Sequence, residues 1–308
     1  MVDSNGIRQQ LDRADRNDAC DQGEQGAPQA QQPAKKKSDL GVRFAAGFVY
    51  VAISVICVGL STVSTVVYLA AVSGICAFEF YRMMHVDAKI VNDAIGILAA
   101  VCYPLAVYIH GAFGALLVSL VFLVALSIWY VFFPKARIMD VCLSFFGAAY
   151  MGLLLSCLIP LRQSLNQPWG GVLLVILLAS VWFNDAGAYL VGSKIGKHKM
   201  APTISPKKSW EGFAGGLVVS IIFWCLMTFI PGVNMNFAQA ALFGILVGAM
   251  SILGDLVESR IKRNVGVKDS GNIMPGHGGL FDRSDSLFTA SVTATFLLYV
   301  GGCVPIVF

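Results

Sequence analysis

Residues 268–285 read KDSGNIMPGHGGLFDRSD and hold Lys268, Asp269, Asp282, Arg283 and Asp285. Five glycines or prolines and His277, one of four histidines, share the stretch, in a chain that is only 13% charged. Acids and cations set against backbone without side chains are suited to holding a metal ion and phosphate groups. Gly276, Gly278 and Gly279 leave room for backbone N–H groups to approach a phosphate, and Pro275 restricts the turn. Asp282 and Asp285 stand at i and i+3 where a new apolar run begins. A helix N-terminus stabilises nearby acids, which accounts for one of the two but not for Arg283 between them.

Three further stretches carry similar chemistry. In SILGDLVESRIKR, the side chains of Asp255, Glu258 and Ser259 share one helix face, and Arg260, Lys262 and Arg263 follow. An acidic face turning basic could take a metal and then phosphates; cations at a helix C-terminus are also favoured by the macrodipole alone. In TISPKKSWEG, Ser205, Lys207, Lys208 and Ser209 offer hydroxyls and ammonium groups to a polyphosphate, although either serine could instead cap the following helix. Asp185, in SVWFNDAGAYLVGSK, falls toward the end of an apolar helix, where it either takes part in chemistry or reaches into water. GAYLVGSK and GSKIGKHK resemble phosphate-binding loops only superficially, since residue order or spacing is wrong and no strand precedes them. Hard cations such as Mg²⁺ take one or two carboxylates plus substrate phosphate oxygens, and two ions can serve both oxygens of an in-line displacement.

The elements that must position these groups are membrane helices. Of 308 residues, 56% are hydrophobic, in runs that match the ~20 apolar residues needed to cross a bilayer. Nine spans are expected, at about 42–60, 62–82, 94–109, 111–133, 138–159, 170–192, 212–231, 237–257 and 286–307, with the third interrupted by Pro104. The fold class is therefore an all-α polytopic membrane protein with two long polar loops, roughly 193–211 and 258–285. Beyond residue 43 there are fifteen Lys or Arg residues. If the tail bearing Lys35, Lys36, Lys37 and Arg43 lies inside, alternation puts fourteen of them on that side and only Arg162 opposite. Inner loops carry the excess of Lys and Arg, so the tail and both polar loops are expected to be cytoplasmic. The net charge of +4 then points to lipid head groups and phosphorylated ligands, with no nucleic acid. Residues 1–40, rich in Gln, Asp, Ala and Gly, read as a disordered tail. The span 41–165 reads as a transmembrane scaffold whose few acids are Glu79, Asp87, Asp93 and Asp140. The span 166–308 reads as the catalytic region. The eight cysteines form no CxxC or Cys/His ligand pattern.

The run SRIKRNVGVKDSGNIMPGHGGLFDRSD, from Ser259 to Asp285, resembles the signature of the CDP-diacylglycerol synthase family, the phosphatidate cytidylyltransferases. GDLVES, NDAGAYLVGSKIGKHKM and ISPKKSWEG resemble further family segments in the right order, so the likeness covers about residues 170–285. Ser284 departs from the apolar residue or Thr usual there, and Ala186 from the hydroxyl residue that often follows the acid. The resemblance implies that CTP and phosphatidic acid give CDP-diacylglycerol and pyrophosphate, at a bacterial inner membrane, with membrane lipid around the site and a homodimer possible. It implies a paired cation centre of Mg²⁺ and a second ion, held by Asp255 and Asp282. Asp285 and Asp269 would be neighbouring ligands or orienters, and Asp185 and Lys268 would belong to the same catalytic group. Lys207, Lys208, Lys268 and Arg283 would steady the pyrophosphate or lipid phosphate. Ser205, Ser209, Glu211, Lys262, Arg263, His277, Gly278 and Gly279 complete the substrate contacts. A CTP-dependent kinase of polyprenol or phytol type and an ion-coupled transporter are the alternatives.

Overall fold

A computed structural model describes residues 40–274 and 278–305, with side-chain surroundings from residue 45 onward. The expected tail up to Asp39 lies outside the described residues, as do Pro275, Gly276 and His277. Eight helices and one hairpin follow in order: α1 (Leu40–Leu60), α2 (Thr62–Val86), α3 (Asp93–Phe132), α4 (Ile138–Ser164), α5 (Trp169–Ile195), β1 (Lys199–Ala201), β2 (Ser205–Ser209), α6 (Trp210–Met227), α7 (Phe237–Val265) and α8 (Phe281–Val300).

Six of these, α2 to α7, are long and apolar enough to cross a membrane. The count differs from nine for local reasons. Only Ala45–Leu60 of α1 qualifies as a shorter apolar helix. In α8, Asp282, Arg283, Asp285 and six Ser or Thr residues dilute the apolar character. The 40 residues of α3 contain Gly111 at φ 56° and ψ −140°, a conformation closed to side-chain-bearing residues. The chain doubles back there: Tyr103 and Ser119 hydroxyls meet at 3.0 Å, and Gly114 packs on the Ala106 carbonyl. The break expected between 94–109 and 111–133 falls at this glycine.

Both expected loops carry more structure than their polarity suggests. Within 193–211, β1 and β2 pair antiparallel, Lys199 opposite Ser209 and Ala201 opposite Ser205, so the fold is not purely helical. Ser209 ends the hairpin by capping α6, accepting from the Gly212 N–H at 3.2 Å. Helices take up both ends of the loop expected over 258–285. Helical hydrogen bonds are local and continue past the apolar run, so α7 extends to Val265 and stops at Gly266, φ 77°. At the other end, α8 begins five residues earlier than the apolar pattern, taking Asp282 and Asp285 into its first turns.

The core holds these ends in place. Phe80 of α2 meets Phe281 edge-on at 6.5 Å, Phe281 tilts against Phe288 at 5.8 Å, and Tyr150 of α4 lies 5.3 Å from Phe288. Phe80, Phe281 and Phe288 are fully buried. This aromatic group anchors the chain immediately beside Glu79 and Asp282.

Candidate active site

Two helices deliver three carboxylates to one place. From α7, Asp255 and Glu258 project off one face, and Ser259, one turn beyond Asp255, donates to Asp255 Oδ1 at 3.1 Å. From α8 comes Asp285, whose backbone reaches α7 because position 254 has no side chain. A Cβ on Gly254 would lie 2.5 Å from the Asp285 carbonyl oxygen. Asp255, Glu258 and Asp285 each offer a carboxylate oxygen within 4.8 Å of the others. Glu258 and Asp285 are buried, and among the described residues Glu258 Oε1 accepts no hydrogen bond.

Lysines balance this charge. Lys208, carried by β2, places Nζ 2.7 Å from Asp255 Oδ2. Lys262, one turn beyond Glu258, bridges Glu258 Oε2 at 2.6 Å and Asp282 Oδ1 at 2.7 Å. Asp282 Oδ2 accepts the N–H groups of Ser270 at 3.0 Å and Gly279 at 2.8 Å. Asp282 thus adjoins Glu258 and shares Lys262 with it, while the three carboxylates with oxygens mutually within 4.8 Å are those of Asp255, Glu258 and Asp285.

Beside the cluster, α5, the hairpin, α6 and α7 wall a cavity of about 610 Å³. Asp185, Ser205, Lys207, Lys208 and Asp255 line it. Lys268, Asp269 and Arg283 are exposed on the neighbouring loop and first turn of α8. Gly278 adopts φ 89°, and a Cβ there would come within 2.5 Å of Asp282 Oδ2. Arg263 turns toward the hairpin, its Nε donating to the Ile204 carbonyl at 3.4 Å. Two residues expected at the substrates stand elsewhere or do other work. Glu211 accepts from the His198 backbone at 3.2 Å and meets Nδ1 of His198 at 2.6 Å, in an adjoining depression with Lys197 and Trp210. Ser209 lines the cavity but is buried and spends its hydroxyl on the α6 cap.

The profile of the cytidylyltransferase family matches residues 41–300. This chain belongs to that family. Among similar curated proteins, the phosphatidate cytidylyltransferase of Staphylococcus haemolyticus is 52% identical over 106 residues, 34% of this chain and 41% of the relative. That of Mycobacterium bovis is 47% identical over 131 residues, 42% of this chain and 41% of the relative. That of Bacillus subtilis is 39% identical over 152 residues, 49% of this chain and 56% of the relative. The chain therefore matches about half or less of the length of these relatives.

For a cytidylyltransferase the donor set is chemically apt. Oxygen-only ligands suit a hard divalent cation, and the buried carboxylate of Glu258, with Oε1 accepting no hydrogen bond among the described residues, fits such a ligand set. Two residues of this site carry no assigned role in the sequence pattern. Glu258 was legible as sharing a face with Asp255. Glu79, an acid in the apolar run AFEFY, gave only its polarity as a signal, yet it contacts the loop 270–279 and α8.

Proposed function

We propose that this cytidylyltransferase transfers the cytidylyl group of CTP to phosphatidic acid, yielding CDP-diacylglycerol and pyrophosphate. A phosphate oxygen of phosphatidate attacks the α-phosphorus of CTP, and the bond from that phosphorus to the β-phosphate oxygen breaks. The observation that carries this reading is the Asp255–Glu258–Asp285 cluster, flanked by Lys208 and Lys262, at the wall of a cavity with further cations. Both reactants are polyanions, so charge neutralisation is the main obstacle, and phosphatidate, already ionised, needs no general base.

Asp255, Glu258 and Asp285 would hold a divalent cation such as Mg²⁺. Bound there, it would offset triphosphate charge and polarise the reacting phosphorus. Asp282 would serve the second ion of the pair, with Lys262 as the positive charge that neutralises it now, 2.7 Å from Oδ1. Lys207, Lys208, Lys268 and Arg283 bind and orient the phosphates through charge-assisted hydrogen bonds. Asp185, which lines the same cavity, orients Lys208 and its neighbours. The site faces the cytoplasm, where CTP is, and nine crossings (counting α1, α8 and both arms of α3) keep all long polar segments on that side. Residues 41–165 act as scaffold and 166–308 carry the reaction, in an inner membrane of bacterial type.

The test supplies purified protein in detergent with Mg²⁺, phosphatidic acid and CTP labelled at either the α- or the γ-phosphorus. Lipid that takes up only the α-label supports cytidylyl transfer. Uptake of the γ-label instead would identify a lipid kinase, and no uptake of either removes the proposal.

A further inference from the structure

Glu79 sits within α2 at 1% exposure. A buried acid in an apolar helix needs hydrogen-bond partners to offset its desolvation, so its partners matter. Oε1 accepts the Leu280 N–H at 3.1 Å. Oε2 accepts the Phe281 N–H at 2.8 Å and the Ser270 hydroxyl at 3.2 Å. These two N–H groups open α8, whose own N-cap position is Leu280, a residue with no side-chain cap to offer. Helix starts leave N–H groups without partners and attract negative charge. Glu79 therefore caps α8 from 201 residues away.

The fit is steric as well. A Cβ on Gly271 would lie 2.6 Å from Glu79 Oε1, and one on Gly279 would collide with Oε2. Ser270 is held twice, its hydroxyl by Glu79 and its N–H by Asp282. Both ends of the segment 270–279 are thus tied down by two carboxylates, one from the scaffold and one from the site. The other scaffold acids stay within that half of the chain: Asp140 accepts from the Arg137 and Ile90 N–H groups, Asp93 meets His85 and Asp87 meets Lys89.

We propose that Glu79 is a positioning residue for the reaction: it sets the first turns of α8 so that Asp282 meets Lys262 and Asp285 meets Asp255 and Glu258. The inference rests on the cytidylyl-transfer reading. Glu79 acts through α8 and the loop rather than on substrate, so its loss should appear in turnover. Glu79→Gln keeps the shape but turns an NH₂ group toward donors. It is expected to lower kcat by about 10- to 100-fold, since small misplacements carry penalties of that order. The KM for CTP should stay within about threefold, as expected when ground-state binding is untouched. Ser270→Ala, which removes one of the three bonds, should give a smaller kcat loss, and Glu79→Asp should recover part of what Glu79→Ala loses.

Hydrogen exchange in detergent without substrates supplies the second readout. Amides 279–281 should exchange at least about tenfold faster in Glu79→Gln while α5 and α6 stay unchanged, because only a local opening is eased. Wild-type kcat together with wild-type exchange at 279–281 would overturn the proposal, as would a loss confined to KM. If Glu79→Gln fails to fold, Ser270→Ala and Glu79→Asp decide by the same two measurements. A wild-type chain that transfers no cytidylyl group would remove the proposed function, while the exchange result would still judge whether Glu79 caps α8.

Discussion

Asp255, Glu258 and Asp285 crowd three carboxylates within 4.8 Å, with Lys208 and Lys262 offsetting part of their charge. Removing one negative ligand while keeping its shape should therefore cost catalysis more than folding. Asp255→Asn, Asp282→Asn and Asp285→Asn are each expected to reduce turnover at least ~100-fold, through lost electrostatic stabilisation, in steady-state assays with a normal elution profile. Glu258→Gln should raise the Mg²⁺ concentration needed for half-maximal turnover by about tenfold, since ligand charge tunes affinity. An unchanged Mg²⁺ dependence would take Glu258 out of the ligand set. Much of this site was legible as single residues: spacing alone put Asp255, Glu258 and Ser259 on one face, and the hydrogen bond between Ser259 and Asp255 agrees. The pairing of Asp282 with Lys262 was not legible, because an i to i+20 contact has no signature in periodicity.

Two element-level junctions decide whether those residues meet. At the first, α8 crosses α7 over Gly254, leaving no space for a side chain before the Asp285 carbonyl. Gly254→Val should overpack this crossing by roughly 1–3 kcal/mol and lower the unfolding midpoint in detergent by roughly 3–10 °C, with activity lost in parallel. At the second, the polar loops turned out to be partly regular. Hydropathy marks where a chain leaves lipid, and helical hydrogen bonding does not stop there, so α7 and α8 project acids beyond the apolar runs. The hairpin β1–β2 was hidden because its five-residue second strand, SPKKS, has no alternating apolar face. Its consequence is functional: it carries Lys208 to Asp255.

For the whole molecule, the distribution of Lys and Arg makes a directional prediction. In spheroplasts, with native cysteines replaced, Gln167→Cys should react with a membrane-impermeant maleimide. Lys197→Cys should react only after permeabilisation if, as proposed, the polar loops lie inside. The reverse pattern would invert the proposed topology. The fold at Gly111 makes this arrangement possible, since it returns the chain to the side from which α3 started.

Membrane class, the approximate apolar runs and a break between residues 109 and 111 were legible in the sequence itself. Each is a local property, fixed by composition or by spacing within a few turns. Only the tertiary structure decided that Asp285 is the acid grouped with Asp255 and Glu258, that Lys262 stands between Glu258 and Asp282, and that Glu79 caps α8. Those contacts join segments up to 202 residues apart. They exist because aromatic packing around Phe80, Phe281 and Phe288 brings α2 and α8 together, a result of shape that no local pattern encodes.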